Sequence, residues 1–259
     1  MRRHVVPDGS PSRVVAGTTS HLQHWAPGRR LYAHPKLLAV AATICGDDFC
    51  RFNEGLQIKL PRVGPSVAWH QDGTTHRGDA ERFDPNSHGM NTQTLLFGAN
   101  ASNAVWFEPA SHTVGTIDIA ARVEAARGSD RLPAAVPAVA PPGAVVIFSR
   151  NILHASFPNL SDEARVSVGF GYHPRSAVLG ARFREGGVGP HDASRPLGWT
   201  EEDVKARSAV IPLAIAERAA FYPAETAFRY APASEFEQSI EAWTAEAREQ
   251  ALAQPMLAT

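Results

Sequence analysis

Trp69-His70-Gln71-Asp72-Gly73 sets an imidazole and a carboxylate two residues apart in a stretch rich in strand-forming side chains. Side chains alternate along an extended strand, so His70 and Asp72 share one side and can hold one metal ion between them. His-x-Asp also arises by chance in a chain with 11 histidines, so a third ligand is needed before the pattern carries weight. His154 is the candidate. A hairpin centred between Asn159 and Leu160 sets His154 opposite Arg165 on one face of a two-stranded ladder. Two imidazoles and one carboxylate on one side of an iron leave three positions open, the ligand set of non-haem Fe(II) oxygenases. A keto acid can chelate two of them and O2 can take the third. The planar fork of Arg165 suits the far carboxylate of a dicarboxylic keto acid, which lysine could meet only as a point charge.

These residues must be held by a scaffold, and the texture of the chain says which kind. Residues 34–46 carry proline where a helix can start, aliphatics inside and glycine where it can stop, and read as a helical lead-in. From Leu56 the pattern changes to short runs rich in Val, Ile, Phe and Trp separated by turn clusters. Strands are expected at 56–60, 67–72, 91–97, 104–107, 144–148 and 165–172, with a helix at 118–127 and a surface loop at 132–142. Ser234-Glu-Phe-Glu237 is a capping-box pattern ahead of Phe236, Ile240, Trp243 and Ala247, which predicts an amphipathic terminal helix within a helical part spanning about 200–254. Short strands in the middle with helices at the ends predict a mainly β fold with flanking α-helices. The expected architecture is a jelly roll within one domain over 1–259, its core at about 56–173.

Composition narrows the function. The 25 Lys and Arg nearly cancel the 26 Asp and Glu, leaving a net charge of -1 and no basic excess to grip nucleic acid. The start is polar and broken by Pro7, unlike a secretory signal, and the apolar run 37–45 is far short of the roughly 20 residues that span a bilayer. A cytoplasmic protein with no membrane partner is the expectation. Cys45 and Cys50 are the two cysteines, and they read as reduced thiols rather than a disulfide or a thiolate metal site. Isolated histidines such as His4, His21, His24, His34 and His191 read as surface or structural residues.

Trp-His70-Gln-Asp72-Gly, the Pro109-Ala-Ser-His112 element, and His154 followed eleven residues later by Arg165 together resemble the phytanoyl-CoA dioxygenase family of Fe(II)/2-oxoglutarate oxygenases, over roughly 34–173. The resemblance implies a cupin-like double-stranded β-helix. It also implies decarboxylation of 2-oxoglutarate to succinate, coupled by O2 to hydroxylation or related oxidation of a second substrate. Carried over, His70, Asp72 and His154 bind Fe(2+), and Arg165 binds the distal carboxylate of 2-oxoglutarate. Gln57, Ser156, Thr92 and Thr94 are further contacts to that co-substrate. Trp69 and His76 are candidates for the substrate pocket. Asp72 is present where halogenases carry a small residue, which favours hydroxylation or a related oxidation such as desaturation, ring formation or epoxidation, and the expected substrate is a small organic molecule. Two other classes are open to the same residues: a cupin-like hydrolase or isomerase with zinc on the triad, and a ligand-binding barrel without turnover. Arg165 counts against the first and the intact ligand set against the second.

Overall fold

The computed structural model describes residues 26–62, 66–73, 83–126, 130–179 and 200–236. Among these residues eight strands form two four-stranded antiparallel sheets. One contains β1 (Phe49–Lys59), β3 (Met90–Leu95), β6 (Val145–Ser149) and β8 (Arg165–Pro174), in the order β1-β8-β3-β6. The other contains β2 (Val67–His70), β4 (Val105–Phe107), β5 (Val136–Pro137) and β7 (His154–Ser156), in the order β2-β7-β4-β5. Because the chain crosses repeatedly from one sheet to the other, this is the expected jelly roll. The strand at 56–60 is the second half of β1, which begins earlier at Phe49 and bends at an irregularity between Phe52 and Glu54.

Each sheet has one face against helices and one against the other sheet. Along β8 the even positions Val168, Phe170 and Tyr172 join Phe49 and Met90 under Leu37, Leu38 and Ala41 of α2 (Pro35–Cys45). The same core takes Tyr32 of α1 (Ala26–Tyr32), whose ring meets Phe170 edge-on with centroids 4.9 Å apart. Burying a side chain such as Phe170 contributes about 1.5–3 kcal/mol. The helix α2 starts as its sequence dictates, with Pro35 at its first turn and the His34 ring accepting from the Lys36 N–H, and Gly46 at φ 79° follows its last turn. The second sheet packs Trp69, Ala155 and Phe157 on Ile117, Leu132 and Leu153, with Ile119 and Val123 of α3 (Ile119–Ala125) beside them.

A short helix α4 (Arg175–Val178) follows β8, and α5 (Glu201–Phe221) lies against β1 and α1, with Ile211 in the first core. Thr200 and Asp203 close its start as a capping box, and Glu217 on its last turns pairs with Arg29. Of the expected terminal helix, residues 234–236 lie in a 3-10 turn, Ala231–Phe236, and the remainder falls outside the described residues. Cys45 and Cys50 are buried free thiols. No helix among the described residues is long and apolar enough to cross a membrane.

Candidate metal centre

With helices outside, a set of polar strand residues turns inward. Register shows which ones: Lys59 opposite Arg165, Gln57 opposite Ser167, and Asn91 opposite Gly171. In the other sheet His154 lies opposite both His70 and Phe107. The two histidine rings are 4.1 Å apart between centroids. Their Nδ1–H groups donate to carbonyls two residues upstream, His70 to Ala68 at 2.8 Å and His154 to Ile152 at 2.9 Å. That fixes the tautomer and leaves both Nε2 lone pairs facing Asp72.

The pairing of β2 ends at His70, but the chain stays extended enough to bring Asp72 to the same side. The N–H groups of Asp72 and Gly73 both donate to the Arg150 carbonyl, at 3.1 and 3.2 Å, and Gly73 turns with φ 84°. The His70 Nε2 to Asp72 Oδ1 distance is 3.7 Å, and His154 Nε2 to Asp72 Oδ2 is 3.8 Å. All three ligand atoms lie within 4.8 Å of one another. The gaps exceed hydrogen-bond length and suit three donors around one cation. Burial lowers the His154 pKa to about 4 against the pull of Asp72, so the imidazole is neutral and its lone pair available at neutral pH. Burial by itself would raise the Asp72 pKa, but Arg150, His154, His70 and the Asn91 hydrogen bond outweigh it and hold the carboxyl below its ordinary value. A neutral-imidazole and carboxylate set fits Fe(II). His154 is buried beside Phe107 and Phe148, while His70 and Asp72 keep one side of the triad open, their side chains 38% and 26% exposed.

Deeper in the barrel Arg165, only 2% exposed, donates through Nη1 to the Asn103 carbonyl at 2.7 Å and to Ser156 Oγ at 3.3 Å. Its Nε has no hydrogen-bond partner, and no carboxylate pairs with the guanidinium among the described residues. His154 and Arg165 therefore do approach one barrel interior, but not across a hairpin. Strand β7 belongs to one sheet and β8 to the other, so Arg165 meets Ser156 across the barrel. The connection is no tight turn: Asn159 Nδ2 donates to the carbonyls of Lys59, Leu60 and Glu163, pinning the chain as it changes sheets.

Several expected positions need correction. Thr92 and Thr94 lie on the helix-facing side of β3, and the Thr92 hydroxyl donates to the Phe170 carbonyl at 2.9 Å. The inward residues of that strand are Asn91 and Gln93, and Gln93 donates to Gln57 Oε1. Trp69 turns outward into the second core, where its indole N–H donates to the Asp130 carbonyl at 2.7 Å. His76 lies outside the described residues. Lys59 was missed. It is 4% exposed, donates to the Phe157 carbonyl, and shares the inward face with Arg165 and Gln57. The signal was present: the alternation that turns Gln57 inward also turns Lys59 inward.

The Pro109-Ala110-Ser111-His112 element shapes the centre without touching it. Ala110 sits at φ 63°, a conformation that costs a non-glycine residue about 1–2 kcal/mol. The turn lets Ser111 Oγ donate to the Glu108 carbonyl and accept from the Leu153 N–H, at 2.7 and 2.8 Å, fixing the chain just before His154.

The family profile for phytanoyl-CoA dioxygenase (PhyH) matches residues 12–167, more than half of the 259 residues, and that span contains the triad and Arg165. The chain belongs to the phytanoyl-CoA dioxygenase family. A relative, "Dioxygenase lolE1" of Epichloe uncinata, is 26% identical over 171 residues, which cover 66% of this chain and 64% of the relative. The match thus spans just under two thirds of that protein's length. Among solved structures, the non-heme alpha ketoglutarate dependent carbocyclase SnoK from nogalamycin biosynthesis aligns with TM-score 0.56 at 19% identity, over 76% of each chain. EctD from S. alaskensis, with 2-oxoglutarate and 5-hydroxyectoine, aligns with TM-score 0.51 at 24% identity, over 68% of this chain and 61% of its own. At these identities the likeness shows that this chain shares their fold.

Proposed function

We propose that this chain is an Fe(II)- and 2-oxoglutarate-dependent dioxygenase that hydroxylates, or otherwise oxidises at a C–H bond, a small organic molecule. Arg165 carries the reading. A buried guanidinium with an idle Nε and no acidic partner among the described residues, on the same barrel interior as an open two-histidine, one-carboxylate site, is a receptor for the far end of a dicarboxylate. Iron held by His70, Asp72 and His154 would leave three positions for the keto acid and O2, and the overall reaction turns 2-oxoglutarate, O2 and R–H into succinate, CO2 and R–OH. The protein's part is to hold the keto acid at its far carboxylate and to keep apolar walls, Phe107 and Phe148, beside His154. A zinc hydrolase on the same triad has no use for Arg165.

Anaerobic addition of Fe(II) and 2-oxoglutarate is expected to give a weak visible charge-transfer band that zinc does not give, and aerobic incubation with a panel of small molecules is expected to release succinate. Absence of the band at saturating ligand would sink the proposal in favour of the hydrolase.

Lys59 adds a pH dependence. Burial, then the neighbouring Arg165, lowers its pKa to about 7. A dianion beside it favours the ammonium, so below about pH 7 Lys59 is charged whether or not 2-oxoglutarate is bound, and the affinity is full. Above that pH, binding must take up a proton, and affinity falls by up to about tenfold per pH unit until the pKa of the bound state is reached. Calorimetric titration of 2-oxoglutarate between about pH 6 and about pH 8.5 measures this, with the proton uptake read from buffers of different ionisation heat. Lys59→Met should bind more weakly at the acid end and lose the slope; an unchanged slope would exclude Lys59 from the co-substrate site.

A further inference from the structure

Resting on the metal reading above, we infer that Asn91 and Arg150 form a positioning clamp that engages one carboxylate oxygen of Asp72 and sets how its carboxylate faces the metal site. Asn91 Nδ2 donates to Asp72 Oδ2 at 2.6 Å, and its own Oδ1 accepts from Arg150 Nη1 at 2.7 Å. Arg150 Nε donates to the Gly73 carbonyl at 2.9 Å, while the Arg150 carbonyl accepts from the N–H groups of Asp72 and Gly73. One residue at the end of β6 thus grips the Asp72-Gly73 backbone from both its main chain and its side chain, and reaches the carboxylate through Asn91. An amide is suited to the middle position because it donates at one end and accepts at the other, and Arg150 dictates which end faces the carboxylate.

The surroundings are shaped to keep this chain of bonds in one arrangement. Arg150 is 1% exposed, with its guanidinium 5.2 Å from the Phe52 ring centroid. Gly171, opposite Asn91, has no room for a side chain: a Cβ there would lie 2.8 Å from Asn91 Oδ1 and 2.6 Å from the Met90 carbonyl. A Cβ on Gly89 would lie 3.1 Å from Arg150 Cδ and 3.0 Å from His173 Cε1. Both glycines therefore leave space that the clamp and its neighbours fill. Outer partners of metal ligands orient the ligand, and losing one costs about 10- to 100-fold in metal affinity. Among the described residues the Asn91 side chain bonds Asp72 and Arg150 and not Arg165, so its effect on the metal is exerted through Asp72.

The test is an anaerobic Fe(II) titration of wild type, His70→Ala, Asn91→Ala and Arg150→Lys, with melting temperatures of each protein free of metal. Asn91→Ala should raise the dissociation constant for Fe(II) by about 10- to 100-fold. Its metal-free melting temperature should stay within about 4 °C of wild type, a margin that a residue needed chiefly for folding would exceed. Arg150→Lys, which keeps the charge but replaces the rigid fork that spans Gly73 and Asn91 with one ammonium on a flexible stem, should shift iron affinity in the same direction, and it carries the test if Asn91→Ala does not fold. Wild-type affinity in a folded Asn91→Ala protein would overturn the clamp alone, as would a loss of affinity accompanied by an equally large loss of metal-free stability. Wild type that binds no Fe(II), like His70→Ala, would overturn the metal reading and the clamp together.

Discussion

Alanine at His70, Asp72 or His154 is expected to abolish turnover and iron uptake while leaving the barrel folded. Each substitution removes one of three protein bonds to the metal, and no neighbouring His, Cys, Asp or Glu among the described residues stands close enough to replace it. The fold survives because the ligating atoms contribute little to it. Each imidazole makes one local hydrogen bond, to the carbonyl two residues before it, and the hydrophobic cores around Phe170 and around Trp69 lie on the opposite faces of the two sheets. The three variants should nevertheless differ in stability. Losing Asp72 leaves Asn91 and Arg150 without the anion they face, and removing one partner of a buried charge pair costs about 3–5 kcal/mol where the pair is fully enclosed. Asp72 is a quarter exposed, so its loss should fall below that range, yet above that of His70→Ala. Iron content, succinate release and far-ultraviolet circular dichroism decide the matter; a variant that keeps full iron and activity leaves the triad.

The residues that could be read from the sequence are those whose signal is local. His70 and Asp72 follow from alternation along one strand, and α2 follows from its own proline and glycine punctuation. Arg165 could be placed near His154 by counting, but counting assumed a ladder where the chain in fact changes sheets. Arg165 meets Ser156 across the barrel rather than His154 across a ladder. Strand β3 shows why other contacts were assigned to the wrong side. Asn91-Thr92-Gln93-Thr94 is polar at every position and buried at every position, so hydrophobic alternation is silent and only pairing with Gly171, Phe170, Gly169 and Val168 reveals which face is inward. Trp69 illustrates the reverse case. It adjoins His70 in sequence and for that very reason lies on the other face of β2. Arg150 carries no motif, since its role comes from where β6 ends relative to the loop after β2, a contact 77 residues apart in the chain.

Arg165→Leu is expected to weaken 2-oxoglutarate binding by about 30-fold to several thousand-fold, the range that corresponds to about 2–5 kcal/mol for truncating one partner of a buried charge pair. The size rests on burial. A guanidinium 2% exposed is poorly screened by water, and its unpartnered Nε is the kind of group whose bonding is completed only when an anion arrives. Iron affinity should change little, because among the described residues Arg165 bonds Asn103 and Ser156 and none of the triad side chains. Stability separates this role from a structural one. In the ligand-free protein Arg165 faces Lys59 across the strand pair, both cations are held out of water, and burial lowers the pKa of Arg165 to about 10. Leucine removes one of these charges and the repulsion between them. The empty variant should therefore be no less stable than wild type by more than about 1 kcal/mol, even after the bonds to Asn103 and Ser156 are lost. Arg165→Lys should recover part of the affinity, since an ammonium restores charge without the forked contact. Titrations that gave one dissociation constant for wild type and Arg165→Leu would remove the arginine from the co-substrate site and reopen the identity of the keto acid; a large fall in the stability of the empty protein would instead mark Arg165 as a strut between the two sheets.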